Sequence, residues 1–208
     1  MLMPEVIHAD EHILVVDKPA NLLSVPGKGP QGQVCLSRLV QSEFPTARIV
    51  HRLDYATSGI MVLALTAEAH RALSIQFQER QTGKRYQAIV SGTPDTLEGE
   101  VDLPLRCDWE RRPLQIVDHE QGKAALTRWR ATGKSDLGTR IELHPVTGRS
   151  HQLRVHMMAI GHPIVGDAFY APEAIRAASP RLLLHAEMLS FTHPVSGERL
   201  SLEAPCPF

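Results

Sequence analysis

No apolar run in this 208-residue chain approaches the ~18 residues that a membrane span requires. The opening stretch, MLMPEVIHADEHILVV, lacks the basic start and long apolar core of a secretory leader, so a cytoplasmic location and no membrane association are expected. Cysteine is scarce. Cys35, Cys107 and Cys206 lie far apart with no C-x-x-C pair, which argues against a disulfide framework and against a cysteine-based zinc site. Neither sign of charge dominates, and the net charge of −1 speaks against a protein that coats nucleic acid indiscriminately. Fixed-period repeats, low-complexity tracts and long linkers are also missing. What remains is an ordinary globular composition, long enough to bury roughly 70% of the surface its unfolded form exposes.

The charge is unevenly spread. Residues 101–160 hold ten Lys/Arg against seven Asp/Glu, and pairs such as Arg111-Arg112 and Arg128/Arg130 can form a local basic face or a merely solvated one. Strands are expected at Ile13–Asp17, Ile60–Leu65, Tyr86–Val90, Ala125–Trp129, Thr139–Leu143, Leu183–Ala186 and Leu200–Leu202, where short β-branched or apolar runs end in turn residues. Helices are expected from Gln33 to about Phe44, from Ala67 to Arg80, and from His151 to Ile160, with Ser150 capping the last and Gly161 ending it. The Gly/Pro-punctuated stretch around Ser91–Leu105 is a weak candidate boundary. Irregularly spaced strands outnumber helices, so the expected fold class is α+β with a largely antiparallel mixed sheet.

Three constellations could carry chemistry. The first is His51-Arg52-Leu53-Asp54-Tyr55-Ala56-Thr57-Ser58-Gly59, a polar island between apolar Ile49-Val50 and the strand Ile60–Leu65. Such groups are costly to bury unless paired or used. A turn in which Thr57, Ser58 and Gly59 satisfy the backbone and Asp54 caps explains the same residues. The second runs from His144 to His156 and delivers Arg149 just before a helix N-terminus, a natural position for an anion or for holding a carboxylate ionised. A capped helix with a surface arginine is the plain alternative. The third is Gly83-Lys84-Arg85-Tyr86, a tyrosine flanked by bases at a strand start, suited to stacking a nucleobase but equally common in cores.

Two decoys are set aside. His151 and His156 are five apart with no glutamate between them, which does not match the zinc-binding helix spacing, so no metal is expected. Gly27-Lys28-Gly29-Pro30-Gln31-Gly32 matches G-x-G-x-x-G, but Asp17-Lys18-Pro19 ends the preceding strand well before it and repeated βαβ units are lacking.

Together these pieces resemble the RluA-type pseudouridine synthases and follow that family's order. His51-Arg52-Leu53-Asp54 with Thr57-Ser58-Gly59 matches the catalytic motif, Lys84-Arg85-Tyr86 the tyrosine motif, and Thr147-Gly148-Arg149 with His151–His156 the arginine motif. Arg181–Ala186 and Asp17-Lys18-Pro19 with Leu22–Val25 extend the likeness over about residues 6–205. The resemblance implies a pseudouridine synthase catalytic fold spanning residues 1–208 as a single domain with a central catalytic cleft. Larger members add an N-terminal S4 RNA-binding domain, for which no room is expected here. It implies isomerisation of uridine in structured RNA, with stem-loops of 23S rRNA and of tRNA anticodons as the partners of its compact dual-specificity members. No cofactor is expected, and the protein is expected to be a monomer.

By the same resemblance Asp54 is the catalytic carboxylate, Arg149 keeps it ionised, and Tyr86 packs on the uracil. Arg52, His51, Lys84, Arg85 and Arg154 are expected at the RNA, with His51 also supporting the fold of its motif. Asp54 is expected to be buried, ionised and within reach of Arg149.

Overall fold

The computed structural model describes residues 3–208, without the side chains of residues 30 and 31. The chain divides into two compact units, one comprising Met1–Lys84 with Ala186–Pro207, the other Arg85–His185 with Phe208. The divisions after Lys84 and after His185 fall inside strands rather than in the Ser91–Leu105 stretch.

In the first unit the apolar run Ile13–Lys18 forms strand β2, preceded by β1 (Glu5–Ala9), which pairs with it antiparallel. Ile13, Leu14, Val15 and Val16 are all buried, as expected of a strand covered on both faces. β2 also pairs antiparallel with β4 (Ser58–Ala64), every residue of which is buried. The short β3 (Arg48–Ile49) pairs with the end of β4. The sheet order here is β1-β2-β4-β11, where β11 is Leu184–Thr192 and its outer part pairs with β12 (Arg199–Glu203).

Two helices belong to this unit. The expected helix over Gln33–Phe44 is a 3-10 turn at Pro30–Gln33 followed by a shorter α1 (Leu36–Gln41). Helix α2 (Ala67–Gln78) begins where Thr66 accepts a hydrogen bond from the Ala69 amide at 3.1 Å, and it buries Ala69 and Leu73. Gln76 ties it to the end of β11 by exchanging two hydrogen bonds with the Thr192 backbone, at 2.7 and 2.8 Å.

The second unit is built on β5 (Gly83–Val90), β6 (Glu98–Asp102), β9 (Leu126–Ser135) and β10 (Gly138–Pro145), ordered β5-β10-β9-β6 with antiparallel pairings. A separate hairpin pairs β7 (Leu105–Cys107) with β8 (Gln115–Val117). Helix α3 (Gln152–Ala159) buries Leu153, Val155 and Met157, and a short α4 (Glu173–Ala177) follows. Ser150 does not cap α3. His151 occupies the N-cap in the left-handed region (φ 53°), while Gly161 ends the helix left-handed (φ 86°) as expected. The antiparallel pairings and few helices bear out the α+β class. Among the described residues no helix is long and apolar enough to cross a membrane.

Candidate active site

The His51–Gly59 motif runs from the loop after β3 into the start of β4, and its backbone is tied down at several points. The Ser24 hydroxyl donates to the Leu53 carbonyl at 2.7 Å and accepts from the Leu53 amide at 3.1 Å. The Tyr55 carbonyl accepts from the Leu22 amide at 3.2 Å and from the Lys18 ammonium at 3.4 Å. The Thr57 amide closes a turn on the Asp54 carbonyl at 3.2 Å. Lys18 is fully buried, and its Nζ also donates to the carbonyls of Pro19 and Leu22 at 2.9 and 2.8 Å. Gly59 enters β4 at φ 122°, where a side chain would collide with the Ala186 backbone, so glycine is required there.

Asp54 thus projects from a loop whose neighbours on both sides are held. It is half-buried rather than buried, between buried Leu53 and exposed Tyr55. A carboxylate left partly open avoids the full cost of desolvating its charge and stays reachable by a ligand. Arg52 is exposed beside it.

His51 faces the framework. Its Nε2 accepts the Val62 amide hydrogen at 3.0 Å, and its ring stacks on Phe77 with centroids 4.4 Å apart. A ring nitrogen that accepts a backbone N–H carries no proton, so the imidazole is neutral with its hydrogen on Nδ1. Burial, with a smaller contribution from the Lys84 charge, lowers the His51 pKa to about 3. Lys84 lies with its ammonium 5.0 Å from the Phe77 ring centre, and burial lowers its pKa too.

In the second unit Tyr86 and Arg85 are half-buried on β5, with Tyr86 opposite Leu143 of β10. Arg149 sits in the loop after β10, where its backbone is fixed by Gln152. That buried amide accepts from the Arg149 amide at 3.0 Å and from the Thr147 hydroxyl at 2.7 Å, and it donates to Leu126 and Thr127 at 3.0 Å each. The Arg149 Nε donates to the Ala124 carbonyl at 3.1 Å.

Arg154 corrects the expectation that it meets RNA. It is 3% exposed and donates two 2.7 Å hydrogen bonds to the fully buried Asp167, with the rings of Phe169 and Tyr170 each 5.1 Å away. Asp167 also accepts the amides of Phe169 and Tyr170. A fork so occupied serves the fold.

One surface feature depends on the fold. On the β7–β8 hairpin, Trp109 is 64% exposed and the Arg112 guanidinium lies 3.9 Å over its ring. The neighbouring Arg111 is instead paired with Asp108 at 2.7 Å. The basic doublet and Trp109 are legible in the sequence, but the contact between Arg112 and the ring is not. Among the described residues no group of three or more His, Cys, Asp or Glu is placed to hold a metal ion.

Residues 12–159 match the family model described as RNA pseudouridylate synthase. The chain belongs to that family. It is 52% identical over 204 residues to the dual-specificity RNA pseudouridine synthase RluA of Escherichia coli strain K12, covering 98% of this chain and 93% of the relative. The corresponding protein of Yersinia pestis is 50% identical over 98% of this chain and 99% of its own length. Among solved structures, human RNA pseudouridylate synthase domain containing 1 superposes with a TM-score of 0.83 at 30% identity, covering 99% of this chain and 84% of that one. Human domain containing 4 gives 0.79 at 25% identity, over 98% and 88%. The pseudouridylate synthase fold and the conversion of uridine to pseudouridine follow from this membership, and the His51–Gly59 motif lies within the matched segment.

Proposed function

We propose that this pseudouridine synthase acts on uridines in stem-loops of 23S rRNA and tRNA, as a cytoplasmic monomer whose two units work as one catalytic domain with Asp54 as the catalytic carboxylate. The observation that carries the role of Asp54 is its setting. It is a half-open carboxylate between two residues whose backbones are clasped, inside the family motif. The substrate classes rest on the dual specificity printed for relatives of about half identity over nearly the whole chain.

The chemistry asks for little else. The bond from uracil to C1′ breaks, the base turns, and C5 bonds to C1′ while the C5 proton is lost and a proton returns to nitrogen. Atoms and electrons balance without an oxidant or reductant. Asp54 supplies the carboxylate, Arg149 brings a positive charge to the reaction, and Tyr86 packs on the uracil face. Arg52 fills the space the everted base leaves or holds a phosphate. Lys84 and Arg85 flank Tyr86, and the Trp109–Arg112 pair offers a further stacking surface for a loop base. Turning the uridine out costs a few kcal/mol, less in a hairpin loop than in a duplex.

Tritium release from 5-tritiated uridine in tRNA and 23S rRNA transcripts tests both parts. The unmutated protein is expected to release tritium from both, and Asp54→Asn from neither while remaining folded. No release from either RNA by the unmutated protein would overturn the substrate assignment. Release at the unmutated rate by Asp54→Asn would overturn the role of the carboxylate.

A further inference from the structure

We infer that Ser24 is a positioning residue for Asp54, acting through the backbone of Leu53; this rests on the proposed catalytic role of Asp54. Ser24 is 4% exposed and Leu53 7%, so the two backbone groups of Leu53 are withdrawn from water and need partners inside the protein. One hydroxyl serves both. Its single proton goes to the Leu53 carbonyl at 2.7 Å, and its lone pair takes the Leu53 amide at 3.1 Å. The Met61 sulfur, 3.6 Å from the same oxygen, is a far weaker acceptor.

Ser24 is itself anchored. Its carbonyl accepts the Ser37 amide at 3.2 Å, and the Leu23 carbonyl accepts the Leu36 amide at 2.7 Å, both at the start of α1. A line of fixed contacts therefore runs from α1 through Ser24 to Leu53, the residue immediately before the carboxylate. On the other side of Asp54 the Tyr55 carbonyl is held independently by Leu22 and Lys18. Alanine, with neither donor nor acceptor, cannot make the reciprocal pair at Leu53, and a thiol makes it only weakly. Its loss lets the loop shift on one side of Asp54 only, which tilts the carboxylate and leaves the more distant RNA contacts in place. Displacements of about 1 Å at reacting groups lower rates by on the order of 100-fold.

The test is steady-state kinetics on a tRNA stem-loop with Ser24→Ala, Ser24→Cys and Ser24→Thr, alongside Asp54→Asn and the double variant Ser24→Ala/Asp54→Asn. Ser24→Ala is expected to lower kcat by about 10- to 100-fold with KM within about twofold. Ser24→Thr, which keeps the hydroxyl, is expected to recover most of kcat. Ser24→Cys fills the same space with a weak hydrogen-bonding group and is expected to lower kcat in a folded protein even if the alanine variant unfolds. The double variant is expected to match Asp54→Asn.

Full kcat in Ser24→Cys or Ser24→Ala, or a fall in kcat matched by a proportionate rise in KM that threonine does not rescue, overturns the proposal. If Asp54→Asn is inactive in that same experiment, the catalytic reading of Asp54 survives the failure. If Asp54→Asn is fully active, that reading falls and the positioning role falls with it.

Discussion

Acidification should expose the framework role of His51 as a specific loss of stability. Folding takes its imidazole from an ordinary pKa of 6.5 to about 3, chiefly by burial and secondarily through the Lys84 charge. Above pH 6.5 the ring is neutral in both states and contributes no pH dependence. Below it the unfolded chain binds a proton that the folded chain refuses, so stability is lost progressively as pH falls toward 3. At ~1.36 kcal/mol per pKa unit, lowering the pH from 6.5 to 4 removes on the order of 2 kcal/mol once partial solvent access to the ring is allowed for.

The comparison is urea unfolding of the unmutated protein and His51→Gln between pH 7 and 4. The glutamine carbonyl can accept the Val62 amide but cannot titrate. His156, whose pKa burial also lowers, is present in both proteins and cancels. The gap between the two stabilities should shrink or reverse by about 2 kcal/mol across that window. Parallel curves would refute the neutral, buried assignment.

Asp167→Ala should cost about 3–5 kcal/mol of unfolding free energy by stranding the Arg154 guanidinium, again read by denaturant unfolding. An Arg154→Lys variant of unchanged stability with weakened RNA binding would instead return Arg154 to the RNA surface. Trp109→Ala should leave stability within about 0.5 kcal/mol. It should weaken stem-loop binding by about 1–3 kcal/mol in a filter or anisotropy assay, and unchanged affinity would remove the hairpin from the RNA contact surface.

The strands were legible where burial is two-sided or alternation is clean. Ile13–Val16 and Ile60–Ala64 are uninterrupted apolar runs because both faces of β2 and β4 are covered. β1 and β6 carry no apolar pattern because residues such as Glu5, Glu98 and Glu100 are exposed; pairing along one edge places them. The start of α3 differs from the expected cap for a related reason. Ser150 is a good cap by composition, yet Gln152 already secures the preceding loop and His151 takes the left-handed position.

Within the motifs, the sequence shows which residues are polar but not which way they face. His51, Arg52 and Asp54 read alike as a polar island, yet His51 turns to Val62 and Phe77, Arg52 lies open, and Asp54 stands between. Arg149 and Arg154 are five residues apart and equally basic. One occupies a loop, and the other is sealed by Asp167, a counter-ion thirteen residues downstream that local spacing does not reveal. Lys18 reads as a surface charge beside a turn until its three carbonyl acceptors are seen. Lys18 and Ser24 spend their hydrogen bonds on backbone groups of loops. A carboxylate on a loop between strands is accessible, but such a loop lacks ladder hydrogen bonds to hold it. Ser24 and Lys18 supply hydrogen bonds to the residues on either side of Asp54, His51 anchors the start of the motif on Val62, and Asp54 stands half-open between them.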